Sequence, residues 1–205
     1  YWGLLADGVP EDRKADFIAH LENEKEFKRP HCVPTLSADH PDYSDDGAYW
    51  NGGVWAPTNY MIIKGLSESG EEELAYDIAL NHYENMMKVY HKTGTFFENY
   101  APESANPGNP AKGDFVGWAG IIPITVLIEY VLGIQVHAEK NEVVWYVRNT
   151  ERHGIRRIPI GRDEYADLIC EARSDENEKP NITVTSDKPI KVTVIYGDNK
   201  FVIGE

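Results

Sequence analysis

The chain has 205 residues, of which 41% are hydrophobic, and its formal net charge is -14 at pH 7. That length and composition allow a sizeable buried core and exclude a chain that is disordered throughout. The acidic balance argues against nucleic acid or an anionic membrane surface as partners, since both need clustered lysine and arginine, and it favours a neutral or weakly charged ligand.

The first two thirds of the chain show helical periodicity that two long loops interrupt. Apolar residues recur at helical spacing in four segments. These predicted helices cover residues 10–23, 61–70, 71–91 and 118–132. Repeated Pro and Gly break residues 27–48 and 93–117, and loops of such length in a compact domain are usually functional. The last helix is apolar nearly all round, so we expect it in a protein interior.

The residues after Gly133 change to an alternating hydrophobic pattern. Short alternating runs that turn-forming residues separate are typical of β-strands. Seven such strands are predicted, over residues 135–138, 142–147, 155–160, 165–171, 181–186, 190–196 and 200–203. We expect this part to be a small antiparallel β domain.

An aromatic and glycine-rich cluster precedes the second predicted helix and reads YWNGGVW over residues 49–55. Trp and Tyr rings can stack on the C–H face of a sugar, while an amide such as that of Asn51 binds hydroxyl groups. The two glycines would let the backbone approach a ligand closely. The alternative is that these aromatic residues only fill the core at the start of a helix.

Glu98 lies in the second loop, flanked by Phe96, Phe97 and Tyr100. Apolar surroundings disfavour the charged form of a carboxylate, which suits such a group to proton transfer. The alternative is an ordinary solvated loop glutamate. A third stretch, residues 113–118, again places glycine and aromatic residues at the entry to a helix, where packing is the simpler explanation.

Three stretches follow one another along the chain: YWNGGVWAPTNYMIIKGL, FENYAPES and GDFVGWAGIIPITVLIEYVLGI. Their order resembles the C-terminal half of the (α/α)6-barrel glycoside hydrolases of family 63, with the trehalases of family 37 as more distant relatives. Those families show a YWRG-x-[IV]W-x-P-x-NY segment, an E-x-Y loop and an F-x-W helix entry. The resemblance covers about residues 1–133 and implies a partial (α/α)6 toroid there. Together with the β-sandwich-like antiparallel domain that the alternating pattern predicts over residues 134–205, the expected fold class is mainly α.

The resemblance also implies a function, that of an inverting α-glycosidase acting on an α-glucoside or related short saccharide. Glu98 matches the general base that activates water. The expected substrate-binding residues are Trp50, Asn51, Trp55, Asn59, Tyr100 and Trp118. Two positions depart from the family pattern, because Asn51 replaces its Arg and Gly53 its Pro. Loss of that Arg bears on which sugar is bound and how strongly.

Inversion requires a second carboxyl group as general acid, roughly 6.5 to 9.5 Å from the base. The family supplies it from an upstream GLD-type motif, which this sequence lacks. Four aspartates of the first loop are available but look solvated: Asp39, Asp42, Asp45 and Asp46. The chain also starts at Tyr1 without an initiating Met. We therefore expect the acid on a missing N-terminal half of the barrel, or on another chain covering the same surface, and expect these residues alone to be inactive.

Two other functions stay open. One is a carbohydrate-binding or scaffold module that keeps the aromatic cleft without chemistry, and the other is a phosphorylase on the same barrel, for which Arg152, Arg156 and Arg157 are the nearest basic cluster. No metal or other cofactor is expected, because the seven histidines form neither HxH nor HExxH. Cys32 and Cys170 fit buried free thiols better than a disulfide.

Overall fold

The computed structural model describes residues 1–204 of the chain. They form two compact units, Tyr1–Val126 and the residues from Leu127 onward. The domain division predicted at residue 133 stays a prediction, since compactness alone does not define a domain that folds independently. No helix among residues 1–204 is both long enough and apolar enough to span a membrane.

Four α-helices lie in the first unit. They are α1 (Trp2–Leu5), α2 (Glu11–Ala19), α3 (Ala56–Glu68) and α4 (Glu72–Thr93). The longest, α4, has two acidic residues in its first turn and His91 and Lys92 in its last, an order that complements the helix dipole. It ends at Gly94, whose φ of 75° is the left-handed conformation of a helix cap.

The core of this unit contains the facing sides of α3 and α4, which contact each other, and α1 also contacts α3. Helix α3 starts earlier than predicted, because Pro57 lies in its first turn, where a missing backbone N–H costs nothing. Gly65 is the close-approach point, since a Cβ there would lie 3.1 Å from the Cβ of Leu4. The short α1 was missed because four residues are too few to show periodicity.

The last predicted helix takes an unusual form. A 3-10 turn, Trp118–Ile121, continues into a π-helix, Ile122–Val131, that runs across the limit between the two units. Ile122 and Val126 are fully buried, whereas Ile124 is 60% exposed. Within the described residues this helix is therefore buried on one side and open on the other, and its expected place in a protein interior stays a prediction.

The described part of the second unit contains seven strands in two sheets. The strands are β1 (Ile134–His137), β2 (Glu142–Tyr146), β3 (His153–Gly161), β4 (Glu164–Cys170), β5 (Ile182–Ser186), β6 (Lys191–Tyr196) and β7 (Asn199–Ile203). The order is β1-β2-β6-β7 in one sheet and β3-β4-β5 in the other. Buried side chains from both sheets, among them Trp145, Leu168 and Val192, form one core.

The predicted mainly α fold class is wrong. The described residues are 33% helical when the 3-10 turns are counted and about 22% strand when isolated bridges are counted, which makes a mixed α/β protein. The long loops hold little helix, whereas the residues after 133 are largely strand. The second unit is also not purely antiparallel, because β6 runs parallel to β2 after the chain has formed the other sheet between them.

Candidate active site

Three loops are joined at one pair of residues beneath the predicted site. Val54 donates its N–H to the carbonyl of Tyr100 at 2.9 Å, and Tyr100 donates its own to Val54 at 3.0 Å. Pro34 bridges to Val54 and Pro107 to Tyr100, so the first loop, the aromatic cluster and the second loop form one small ladder. Both Val54 and Tyr100 are almost completely buried, which gives the loops above them a fixed base.

Asp46 holds the turn that precedes the aromatic cluster. Its carboxylate accepts hydrogen bonds from the hydroxyl of Ser44 at 2.7 Å, the N–H of Ala48 at 3.2 Å and the side chain of Asn109 at 2.8 Å. These bonds lower the pKa of Asp46 below its ordinary value. Asp46 is thus an exposed carboxylate with a local role, because it fixes the turn and ties it to the second loop.

The backbone of this turn is left-handed at two non-glycine residues, Ala48 (φ 30°) and Tyr49 (φ 66°). Such conformations cost about 1 to 2 kcal/mol for residues with a Cβ, so the surrounding contacts must maintain them. Gly53 is one of those contacts, since a Cβ there would lie 2.2 Å from the carbonyl oxygen of Tyr49. Gly53 therefore makes room for the protein's own backbone rather than opening space for a ligand.

The tight turn stacks the aromatic rings on one another. Trp50 lies parallel to Trp55 with ring centroids 4.1 Å apart, and Tyr49 meets Trp55 edge-on at 4.8 Å. Trp118 lies 5.9 Å from Trp55. Trp55 is buried, with 1% of its surface exposed, whereas Trp50 is 52% and Trp118 39% exposed. The result is an aromatic platform, Trp50, Trp55 and Trp118, whose outer surface is open to solvent.

Glu98 is held beside this platform by three hydrogen bonds. Its N–H donates to the carbonyl of Lys112 at 2.9 Å, and its carbonyl accepts from the indole N–H of Trp118 at 3.2 Å. Its carboxylate accepts from the hydroxyl of Tyr49 at 3.0 Å. The side chain is half-buried. Both the backbone and one carboxylate oxygen of Glu98 are thus fixed, as is required of a reactive side chain that must keep one orientation.

The aromatic residues that flank Glu98 in sequence point elsewhere. Phe96 stacks on Tyr90 with centroids 4.9 Å apart, and Phe97 meets Tyr100 edge-on at 6.5 Å. The hydroxyl of Tyr100 accepts the N–H of Phe97 at 3.0 Å. Burial raises the pKa of Tyr100 to about 12. Tyr100 therefore orders the loop that carries Glu98 from below.

The two asparagines predicted to bind sugar lie in opposite surroundings. Asn59 is fully buried, and its amide accepts the N–H of Val33 at 2.8 Å and donates to the carbonyls of Val33 and Trp55 at 3.0 and 3.1 Å. Asn51 is exposed next to Trp50. The structure thus places Glu98 beside the exposed rings of Trp50 and Trp118. Asn59 and Tyr100 support the loops from the core.

Tyr49 is the site residue that sequence reasoning missed as a partner of Glu98. Its hydrogen bond to the Glu98 carboxylate is the main cause that raises the pKa of the Tyr49 phenol, so the phenol remains a donor at neutral pH. The only signal was its place at the head of the YWNGGVW cluster. Among residues 1–204, no group of three or more His, Cys, Asp or Glu side chains is arranged to hold a metal.

Residues 1–118, more than half of the chain, match the family described as mannosylglycerate hydrolase MGH1-like glycoside hydrolase domain. The chain is 24% identical over 181 residues to an uncharacterized protein of Borreliella burgdorferi, covering 83% of this chain and 38% of that protein. It is 27% identical over 125 residues to mannosylglycerate hydrolase MGH1 of Selaginella moellendorffii, covering 61% of this chain and 24% of that enzyme. The chain thus spans 24 to 38% of the length of these relatives.

A similar solved structure is that of a GH63 mannosylglycerate hydrolase from Thermus thermophilus in complex with glucose. It superposes with a TM-score of 0.47 at 21% sequence identity, covering 58% of this chain and 26% of that one.

Proposed function

The chain belongs to the family of mannosylglycerate hydrolase MGH1-like glycoside hydrolase domains, and from that premise we propose that it carries the general base of an inverting α-glycosidase. The base is Glu98 and the substrate is an α-glucoside or a related short saccharide. Glu98 removes a proton from a water molecule while that water attacks the anomeric carbon from the face opposite the leaving group. The observation that carries the proposal is the placement of Glu98, half-buried and hydrogen-bonded at backbone and side chain beside an open aromatic platform.

The hydrogen bonding of Glu98 supports the role of a base. Tyr49 donates to Oε1, and within residues 1–204 no protein donor is recorded at Oε2, so that oxygen is available to a water molecule. Tyr49 therefore orients Glu98 and leaves one oxygen for the reaction.

The aromatic platform supports a sugar as the substrate. The open surfaces of Trp50 and Trp118 offer apolar faces to the C–H side of a pyranose ring. Asn51, exposed and next to Trp50 in the chain, offers an amide to the hydroxyl groups. Asn59 and Tyr100 act through the backbone that they hold rather than by touching the sugar. In this proposal the Asn at position 51, where the family has Arg, contributes to the choice of sugar.

The general acid, in this proposal, comes from outside these 205 residues, on another part of a longer protein or on another chain. An acid outside this chain is supported by the fact that only 24% of the length of mannosylglycerate hydrolase MGH1 of Selaginella moellendorffii aligns with it.

The first prediction concerns Glu98→Gln in the full-length protein. The amide cannot accept the proton of water, so we expect turnover to fall at least about 100-fold while sugar binding is retained. The measurement is release of reducing sugar from short α-glucosides, with binding followed by calorimetry.

The matched control is Glu84→Gln, an exposed glutamate of α4 that pairs with Lys88 at 3.5 Å, and it should leave turnover unchanged. Retention of more than about one hundredth of the activity by Glu98→Gln would contradict the role of base. Sugar binding by the wild-type protein without any hydrolysis would instead favour a carbohydrate-binding module.

A further inference from the structure

A polar groove of about 440 Å³ lies on the outward face of the β3-β4-β5 sheet. Its lining includes Arg156, Arg157, Tyr165, Asp167, Thr185 and Asp187. All of these belong to the second unit, and none takes part in the site proposed around Glu98. The site around Glu98 therefore does not account for this groove.

The local sequence builds this groove through a β-bulge. Ile155 pairs with Leu168 and Ile158 with Ala166, so both residues between the isoleucines of β3 face the single residue Asp167 of β4. The second bulge residue, Arg157, has a φ of 56° and donates its N–H to Asp167 Oδ1 at 2.8 Å. Both arginines of the bulge are consequently exposed, where regular alternation would turn one of them inward.

Among the described residues, three of the four charged groups of the groove make contacts within the sheet, and none forms a direct ion pair. The guanidinium of Arg157 lies over the ring of Tyr165, 4.3 Å from its centroid. Asp187 Oδ2 accepts the N–H of Tyr165 at 2.9 Å. Within residues 1–204, neither Arg156 nor Arg157 forms a recorded ion pair, and Asp167 and Asp187 each use one oxygen for a backbone N–H. Two guanidinium donors and two carboxylate acceptors thus face a common space.

We propose that this groove is a second carbohydrate-binding site, which takes a neutral oligosaccharide. Its lining carries two positive and two negative charges, so an anion attracted by the arginines would be repelled by Asp167 and Asp187. A sugar hydroxyl both donates and accepts, and neighbouring hydroxyls match a guanidinium fork next to a carboxylate. The hydroxyl of Thr185, whose residue pairs with Asp167 across the sheet, adds a further donor and acceptor. The proposal does not depend on the role of Glu98.

The test is an NMR titration of the full-length protein with maltoheptaose and, for a β-linked comparison, cellopentaose. Glu98→Gln serves as the background, so that no probe is hydrolysed. We expect one of these neutral probes to shift the amide signals of Tyr165 and Thr185. The double variant Arg156→Ala, Arg157→Gly should weaken that binding at least about tenfold, since hydrogen bonds to charged groups are lost. Glycine is chosen at 157 because it tolerates the positive φ of the bulge.

Arg162→Ala is the matched control, because Arg162 is an exposed arginine of the β3-β4 turn outside the groove lining, and it should leave the affinity unchanged. Asp187→Asn should lower the affinity for the oligosaccharide, whereas at an anion site it would raise that for inorganic phosphate. The proposal is overturned if neither oligosaccharide shifts these signals, or if phosphate alone does. Well-dispersed spectra of each variant establish that it is folded.

Discussion

Two asparagines at positions of one family motif, Asn59, which matches it, and Asn51, which departs from it, play different physical roles. The amide of Asn59 is hydrogen-bonded to the backbone of Val33 and Trp55, whereas Asn51, next to Trp50 in the chain, is exposed to solvent. A motif gives the identity of a position but not the direction of its side chain. The sequence therefore indicated which residues gather at the site, and it could not separate those that face a ligand from those that hold the loops.

The pair Asn59→Ala and Asn51→Ala makes this difference measurable. Removing the Asn59 amide leaves the N–H and carbonyl of Val33 buried without their side-chain partner, so we expect the free energy of unfolding to fall by about 2 to 4 kcal/mol. Asn51→Ala should change it by less than about 0.5 kcal/mol, since exposed substitutions rarely do more. Urea unfolding curves measure both. Equal effects of the two variants would show that the hydrogen bonds of the Asn59 amide to Val33 do not stabilise the fold.

Tyr49 shows a second limit at this scale. Its side chain reaches Glu98 across 49 positions of sequence from a left-handed backbone, and a positive φ at a tyrosine has no sequence signal comparable to that of glycine. Neighbourhood in sequence predicted Phe96 and Phe97 as the surroundings of Glu98, yet those rings pack on Tyr90 and Tyr100.

A buried histidine pair predicts how stability depends on pH. His31 and His82 are both fully buried, and their ring nitrogens Nε2 and Nδ1 lie 2.5 Å apart in one hydrogen bond. Burial lowers the pKa of His82 to about 3 and that of His31 well below its ordinary value, with the charge of His82 as a further cause for His31. In the unfolded chain both titrate near pH 6.5.

The unfolded state therefore binds protons below about pH 6.5 that the folded state does not, so stability is complete above that pH and falls as the pH drops toward the folded values. The expected slope is about 1.4 kcal/mol per pH unit for each histidine. Urea midpoints at pH 7, 6 and 5 measure it. Ring proton signals of His31 and His82 that titrate near pH 6.5 in the folded protein would refute the explanation.

At the scale of elements, the two long loops are joined by a partly buried ionic contact as well as by the backbone ladder. Glu103 of the second loop accepts from Arg29 Nε at 2.6 Å and Nη2 at 2.8 Å, and from the hydroxyl of Tyr43 at 2.6 Å. Its hydrogen bonds with Arg29 are the main cause that lowers the pKa of Glu103. This two-pronged contact fixes the relative position of loops that contain little regular structure.

Glu103→Gln should loosen that contact. The amide cannot accept both guanidinium bonds, so we expect a loss of about 1 to 3 kcal/mol in the free energy of unfolding and faster proteolysis within the two loops. Thermal unfolding and limited proteolysis measure the two effects. Glu68→Gln, which removes an exposed pair with Lys64 on α3, is the control and should cost less than about 1 kcal/mol. If the two variants behave alike, Glu103 does not connect the loops.

The regular elements could be predicted well where local periodicity decides them. Three predicted helices and seven strands are present with limits that differ by a few residues, because amphipathic spacing depends only on nearby residues. The parallel pairing of β2 with β6 could not be predicted, because it joins strands that are distant in sequence. The π-helix could not be predicted either, because an apolar segment does not show which helical hydrogen-bond pattern it will adopt.

At the scale of the whole molecule, the family 63 resemblance that three motifs predicted is confirmed, while the mainly α fold class that came with it is wrong. The family match ends at residue 118, so it carries no information about the strand-rich remainder. Family membership thus indicates glycoside hydrolase chemistry, whereas the strand content of the second unit makes the fold class mixed α/β.

The last prediction follows from the proton transfers that the proposed reaction requires. An inverting mechanism needs a protonated carboxyl group to release the leaving group while the base accepts the proton of water, so a base alone leaves the leaving-group oxygen unprotonated. We therefore expect the 205-residue chain by itself to show no turnover of α-glucosides, and a longer protein that contains it to hydrolyse them.

The comparison is made at equal molar concentration, with sugar binding to both proteins measured by calorimetry. The isolated chain should still bind the sugar, more weakly, because the aromatic platform is its own. Full turnover by the isolated chain would place the acid within these residues and overturn the proposal of an external one. Inactivity of both proteins, with Glu98→Gln indistinguishable from wild type, would overturn the glycosidase proposal itself.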